Sequence, residues 1–364
     1  MHIGRITSRL AAVAWAVGLI AGNSGNSFAQ QFPQDEAKLY EAAKKEGKLV
    51  WYESAPLEAM KAVAAEFEKK YPGVKVEILR IVGVQQYQRF MQEVQAKQHA
   101  ADVLHISDFP SMDELIREGH IAEWRVPTHD RIPEQFRIQS HSYANYTTDN
   151  AIIYNVNKLN PEEVKLLASS WKAVLDPRFK GRFAVTSMKC GACYAGIHMF
   201  LDPKLAKEFG PDFLTKIAEQ KPAVYGEVLV GLDRVIAGEH DFTFWTWEGI
   251  AITHWQKGAP IRWVRPAPTP EFGNSWQAVS KYAPRPHAAR LFQTWSMSEE
   301  GTIALQLKYG SRTVLTGVAD QRPVTKEAWY QTLRQPYDVD FKRWAANYNK
   351  DMDLWIKTLK QSGR

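Results

Sequence analysis

The chain has 364 residues, 45% apolar and 24% charged, a globular composition long enough for two domains. Its formal charge of +6 is scattered, with no basic block interleaved with aromatics, which excludes a nucleic-acid partner. No Gly-x-Ser-x-Gly or His-Glu-x-x-His occurs, so the common hydrolase signals are missing and no enzymatic activity is expected.

The N-terminus reads as an export signal. Arg5 and Arg9 precede an apolar run from Leu10 to Gly22, and Ser27-Phe-Ala29 supplies small residues for cleavage after Ala29. The run is too short to span a bilayer. Residues 1–29 contain two arginines and no acid, so their removal takes the charge from +6 to +4. A soluble protein of the periplasm is expected. Only two cysteines occur, Cys190 and Cys193, and in an oxidising compartment such a pair is often a disulfide.

From Glu36 the pattern alternates helix and strand. Glu36 to Glu46 predicts a helix ended by Gly47, and Lys48 to Ser54 a buried strand. Leu57 to Lys70 places Met60, Val63, Ala64 and Phe67 on one helical face. Val74 to Ile81 alternates as a strand does; Tyr87, Phe90, Met91 and Val94 mark a helix; Asp102 to Ser107 is a third strand. Strands alternating with helices predict a parallel sheet, whose carboxyl edge presents Glu53, Ser54, Ser107 and Asp108 where ligands bind. Ser54, Ser107 and Asp108 are equally suited to capping helices.

Tyr146 to Tyr154 predicts a long strand crossing between domains. Asn157 to Pro161 reads as loop, and Arg182 to Ser187 as a strand whose loop runs through Met188, Lys189 and Cys190 to Cys193 before a helix. Such a small-residue loop is either an anion cradle or a plain turn. Phe242 to Trp247 is an aromatic strand ending at Glu248-Gly249, with Trp245 and Trp247 expected on one face, both toward a crevice or both toward the core. Arg265 to Pro270 suits a return crossing. His287 to Met297 and Glu299 to Lys308 predict helices, followed by a loop with Arg312. The tail from Phe341 to Lys360 is a helix whose Trp344, Tyr348, Met352 and Trp355 face predicts packing.

Lys48 to Pro56, Ala101 to Asp108, Asn150 to Leu159, Trp171 to Arg182, Gly231 to Asp241 and Glu299 to Gln306 together resemble, in order, the periplasmic solute-binding proteins of ABC importers, in particular the ferric-iron-binding subgroup. The resemblance implies an α/β fold of two Rossmann-like lobes joined by crossover strands, the type II periplasmic-binding-protein clamp. It implies a monomer that hands a small molecule to an inner-membrane permease, with no cofactor. By this mapping residues 30–150 with 270–325 make one lobe, and 151–269 with 326–364 the other. The subgroup's iron ligands do not carry over: its histidine falls near Pro56, and its tyrosine pair near Glu248-Gly249. The expected ligand is therefore a small organic or zwitterionic solute. Lys189, Arg312 and the Ser187 to Cys190 loop would meet a carboxylate or phosphonate. Glu53, Asp108 and Glu248, with Trp245 and Trp247, would meet an amine. Ferric iron or an iron chelate is the alternative.

Overall fold

A computed structural model describes Met1 and residues 35–81, 84–107, 109–187, 189, 191–333 and 335–361. The expected signal peptide, Asp108, Met188 and Cys190 lie outside the described residues. The strands are β1 Lys48–Glu53, β2 Lys75–Arg80, β3 Val103–Ile106, β4 Arg137–Ile138, β5 Ser142–Asn155, β6 Phe183–Thr186, β7 Ala223–Tyr225, β8 Phe242–Trp247, β9 Ile261–Val264, β10 Thr269–Val279 and β11 Pro336–Asp338.

Their order along the sheet is β2-β1-β3-β10-β5-β8-β6-β7. Two parallel groups, β2-β1-β3 and β8-β6-β7, flank a central pair of long antiparallel strands. β5 pairs with β10 over Ser142 to Asp149, then with β8 and β9 over Asn150 to Asn155. It therefore belongs to both halves of the sheet. The parallel pairs need crossover helices, and those helices cover each half to make two lobes.

Each lobe has its own core. The first gathers Trp51, Phe67, Leu104, Ile106, Phe292 and Trp295. The second gathers Trp171, Phe183, Phe200, Phe242, Trp245 and Trp355 on one sheet face, and Leu232, Ile252, Ile261 and Val324 on the other. The helix Leu57–Lys70 turns Met60, Val63, Ala64 and Phe67 inward, as its spacing requires. The C-terminal helix Phe341–Gln361 buries Trp344, Met352, Trp355 and Leu359. At its first turn Phe341 stacks on Phe109 at 4.7 Å, just after β3, so this helix touches the first lobe as well.

Two differences from the sequence reading have local causes. The crossing strand begins at Ser142, because β10 supplies hydrogen-bonding partners back to that residue. Residues Pro161–Ser169, unassigned beyond the loop ending at Pro161, form a helix. Asn160 and Glu163 cap it reciprocally, and Pro161 sits at its first position.

Candidate functional site

The carboxyl edge of the first lobe is built around a buried acid–imidazole pair. Strand register places Glu53 directly beside His105. One Glu53 oxygen accepts from the Ala55 backbone N–H at 2.6 Å, at the entrance to the helix Leu57–Lys70; the other makes a very short contact with His105 Nδ1. Ser54 Oγ donates to the His105 carbonyl at 2.9 Å. Tyr146, on β5, lies edge-on to the His105 ring at 6.0 Å, and its hydroxyl is 3.1 Å from Ser275 Oγ. Tyr309 meets Tyr146 edge-to-face at 5.1 Å. Burial pushes the Tyr309 phenol up to about 12 and the Tyr146 phenol well above its ordinary 10. His105 Nε2 is buried with no hydrogen-bond partner among the described residues, an uncommon state for a buried polar atom.

The second lobe presents the helix Gly191–Phe200, which follows β6. Its start touches the first lobe: a side chain at Gly191 would meet the Ser107 carbonyl oxygen at 3.1 Å. Asn150 Nδ2 donates to the Ala192 carbonyl at 2.9 Å and to the Trp245 carbonyl at 3.3 Å, tying the crossing strand to this helix. Ser187 N–H donates to the Tyr225 carbonyl at 2.9 Å. Lys189 Nζ pairs with Asp353 on the C-terminal helix at 2.7 Å, both side chains being exposed. Cys193 is disulfide-bonded.

Trp245 and Trp247 both turn to the second core. Trp245 has a positive φ of 42°, and the β5–β8 register slips between Ala151 and Ile153. This bulge turns Trp245 into the second core, against Phe244, Trp355 and Phe200 at 4.3, 5.0 and 5.5 Å. Trp247 is half-buried and packs on the same core. Of the two expected arrangements, both toward a crevice or both toward the core, the described structure has the second.

Glu248 and Arg312 are also not open to a ligand. Glu248 is 1% exposed. Its Oε2 accepts from Arg322 Nη1 at 2.9 Å; its Oε1 accepts from the Tyr330 hydroxyl at 2.9 Å and from Arg265 Nη2. Arg312 Nη1 donates to Asp149 Oδ2 and Nη2 to Glu271 Oε1, each at 3.1 Å; Nη1 also lies 3.5 Å from Glu248 Oε2. Arg322 further clasps Asp320, at 2.7 and 2.9 Å. Burial alone would raise the Glu248 carboxyl, but Arg265, Arg322 and Arg312 together hold it well below the usual carboxylate range. The tyrosine Tyr330 is pushed up to about 12, first by burial and then by Glu248. The charges expected to read a zwitterion here satisfy one another instead.

Residues 49–312 match the model of the family described as bacterial extracellular solute-binding protein. The chain belongs to that family. This solute-binding protein is 23% identical over 343 residues to an uncharacterized protein of Haemophilus influenzae, covering 88% of this chain and 92% of the relative. Its fold is similar to iron-bound HitA from Pseudomonas aeruginosa, with a TM-score of 0.69, 18% identity and coverage of 85% and 99% of the two chains. It is also similar to AfuA from Actinobacillus pleuropneumoniae with exogenous fructose-6-phosphate bound, with a TM-score of 0.68, 22% identity and coverage of 86% and 99%. The family and the fold are those of non-enzymatic ABC-importer binding proteins, and the two-lobed type II clamp expected from the sequence is the fold observed.

In this solute-binding protein Glu53, Ser54 and Ser107 do gather at the first lobe's carboxyl edge, with Ser107 against the second lobe. Trp245, Trp247, Glu248 and Arg312 are drawn into core and ion pairs. Sequence reading missed His105, Tyr146 and Tyr309. The available signal was a histidine inside the otherwise apolar run Val103-Leu-His-Ile106, since a polar residue in a buried strand needs a partner. Among the described residues no helix is long and apolar enough to cross a membrane.

Proposed function

We propose that this protein is the periplasmic solute-binding component of an ABC importer, exported and cleaved after Ala29. We propose that it captures a small organic solute bearing a carboxylate or phosphonate. The lobes of this clamp would be residues 30–150 with 270–325, and 151–269 with 326–364. The observation that carries the ligand reading is Glu248. It follows β8 where the iron-binding subgroup is expected to carry tyrosines, and both its oxygens already accept from arginines. It offers no free oxygen to a hard ferric ion. The organic reading is supported by what remains uncommitted. His105 Nε2 is unpartnered, and the Lys189–Asp353 pair is exposed, so an anionic ligand group can compete for Lys189 at little cost. The Ser54, Ser107 and Ser187 segments add neutral polar groups around these. Iron-bound HitA and AfuA with exogenous fructose-6-phosphate bound share the fold, so the fold itself is compatible with either ligand class.

A second reading, ferric iron or an iron chelate, is favoured by one grouping: the carboxylate of Glu53, the imidazole of His105 and the phenols of Tyr146 and Tyr309 lie together. Against it, burial disfavours both phenolates, and the Glu53 carboxylate is already engaged by His105. A thermal-shift panel of organic acids, phosphonates, amino acids, sugar phosphates, polyamines and ferric citrate separates the readings, because a ligand of the native state raises the midpoint. The expected outcome is a rise with an organic anion and none with ferric citrate. A visible charge-transfer band on adding ferric citrate would overturn the organic reading.

A further inference from the structure

The ion cluster around Glu248 joins every stretch of described chain that passes between the lobes. The first crossing is β5, which changes partners between Asp149 and Asn150. The second is the return from β9 to β10, carrying Arg265 and Glu271. The third runs from Tyr309, in the first core, to the boundary at residue 325, where Val324 packs against the second lobe's outer core, and it carries Arg312, Asp320 and Arg322. Asp149 accepts from Arg265 of the second crossing and Arg312 of the third. Glu271 of the second accepts from Arg312 of the third. Glu248, in the second lobe, accepts from Arg265 and Arg322 and lies near Arg312. Arg312 is the one guanidinium here whose carboxylate partners lie on the first crossing, the second crossing and the second lobe.

The same region brings the lobes close. Gly310 adopts a φ of +80°, and a side chain there would meet Ile252 Cγ2 at 2.4 Å, on the helix Glu248–Trp255 of the second lobe. A rotation of the lobes would turn the backbone at the crossings and move the Arg312 partners, which lie on separate stretches, relative to one another. A guanidinium with several carboxylate partners has directional hydrogen bonds, so it favours one geometry rather than supplying general attraction.

We propose that this cluster is a hinge lock and that Arg312 is the positioning residue that sets how readily the lobes close, without touching the ligand. Weakening it shifts the clamp toward open forms and lowers apparent affinity by the lost fraction of closed protein. This inference rests on the clamp reading above. The test uses spin labels on Lys61→Cys in the first lobe and Lys216→Cys in the second, both exposed positions, with the native disulfide kept oxidised. Double electron–electron resonance then reports the inter-lobe distance in the full mature chain without added solute.

The wild-type background is expected to show a short and a long distance. Arg312→Lys and Glu271→Gln are each expected to raise the long-distance fraction about threefold, the size expected from a partly exposed charge contact. Glu271 is 24% exposed and keeps the variant foldable if Arg312→Lys fails to fold. An unchanged ratio in Glu271→Gln, or in both variants, overturns the hinge lock. A single wild-type distance that no solute of the thermal-shift panel alters overturns the clamp reading, and the hinge lock with it.

Discussion

Two buried glutamates sit at the carboxyl ends of parallel strands, one in each lobe, and they have different surroundings. Glu53 ends β1 and faces one imidazole, whose far nitrogen is unpartnered. Glu248 follows β8 and faces three guanidiniums and a phenol. Both are carboxylates placed directly after an apolar strand, the position where α/β sheets bind ligands. Position alone therefore does not make a ligand-binding acid; the decisive quantity is how much hydrogen-bonding capacity the rest of the chain leaves open. At Glu53 the opening is passed on to His105. At Glu248 the chain closes it.

The contrast predicts a ranking. Glu248→Gln should have the largest effect, because it leaves buried guanidiniums undercompensated: about 3–5 kcal/mol in a urea melt. A loss as small as that of an exposed pair would show that Glu248 is solvated rather than locked. The acid limb sharpens the same point. The folded carboxyl lies below its ordinary 4.5. Its stabilisation is therefore complete above about pH 4.5 and is lost progressively as pH falls below that value. Stability measured from pH 6 to pH 3 should fall less steeply in Glu248→Gln than in the wild type.

Gly310→Ala comes next, at about 1–3 kcal/mol, from a positive φ and the clash with Ile252. Glu53→Gln keeps the shape and one acceptor oxygen, so its expected cost is about 1–2 kcal/mol in the same melt. Its effect on ligand affinity should exceed its effect on stability, since it replaces the group that orients the His105 ring. The reverse order would place the pair in the scaffold alone. Smallest is Lys189→Ala, under about 0.5 kcal/mol of stability because the Asp353 pair is exposed. If Lys189 meets the anionic group of the solute, affinity should nevertheless fall about tenfold, read by calorimetry with the best organic anion of the panel.

How much of this was legible in the sequence depends on the range of the interaction. Alternation and helical spacing are local, so the first-lobe elements, the aromatic strand and the C-terminal helix could be read directly. The helix Pro161–Ser169 was also locally encoded, by Asn160, Pro161 and Glu163, but the loop assignment stopped at the proline. Trp245 was not legible, because its direction depends on a bulge set by pairing with β5. Neither were the partners of the two glutamates. His105 lies 52 positions from Glu53, and Arg322 lies 74 from Glu248. Arg312 has the composition of an anion-binding residue; only the arrival of Asp149 and Glu271 from two other crossings shows that its donors are taken.

Native mass spectrometry of the protein, purified without unfolding, tests the ligand assignment most directly. The expected result is a bound species with the mass of one small organic molecule, released when the protein is denatured. A mass increment of a single iron atom, with no organic component, would contradict it.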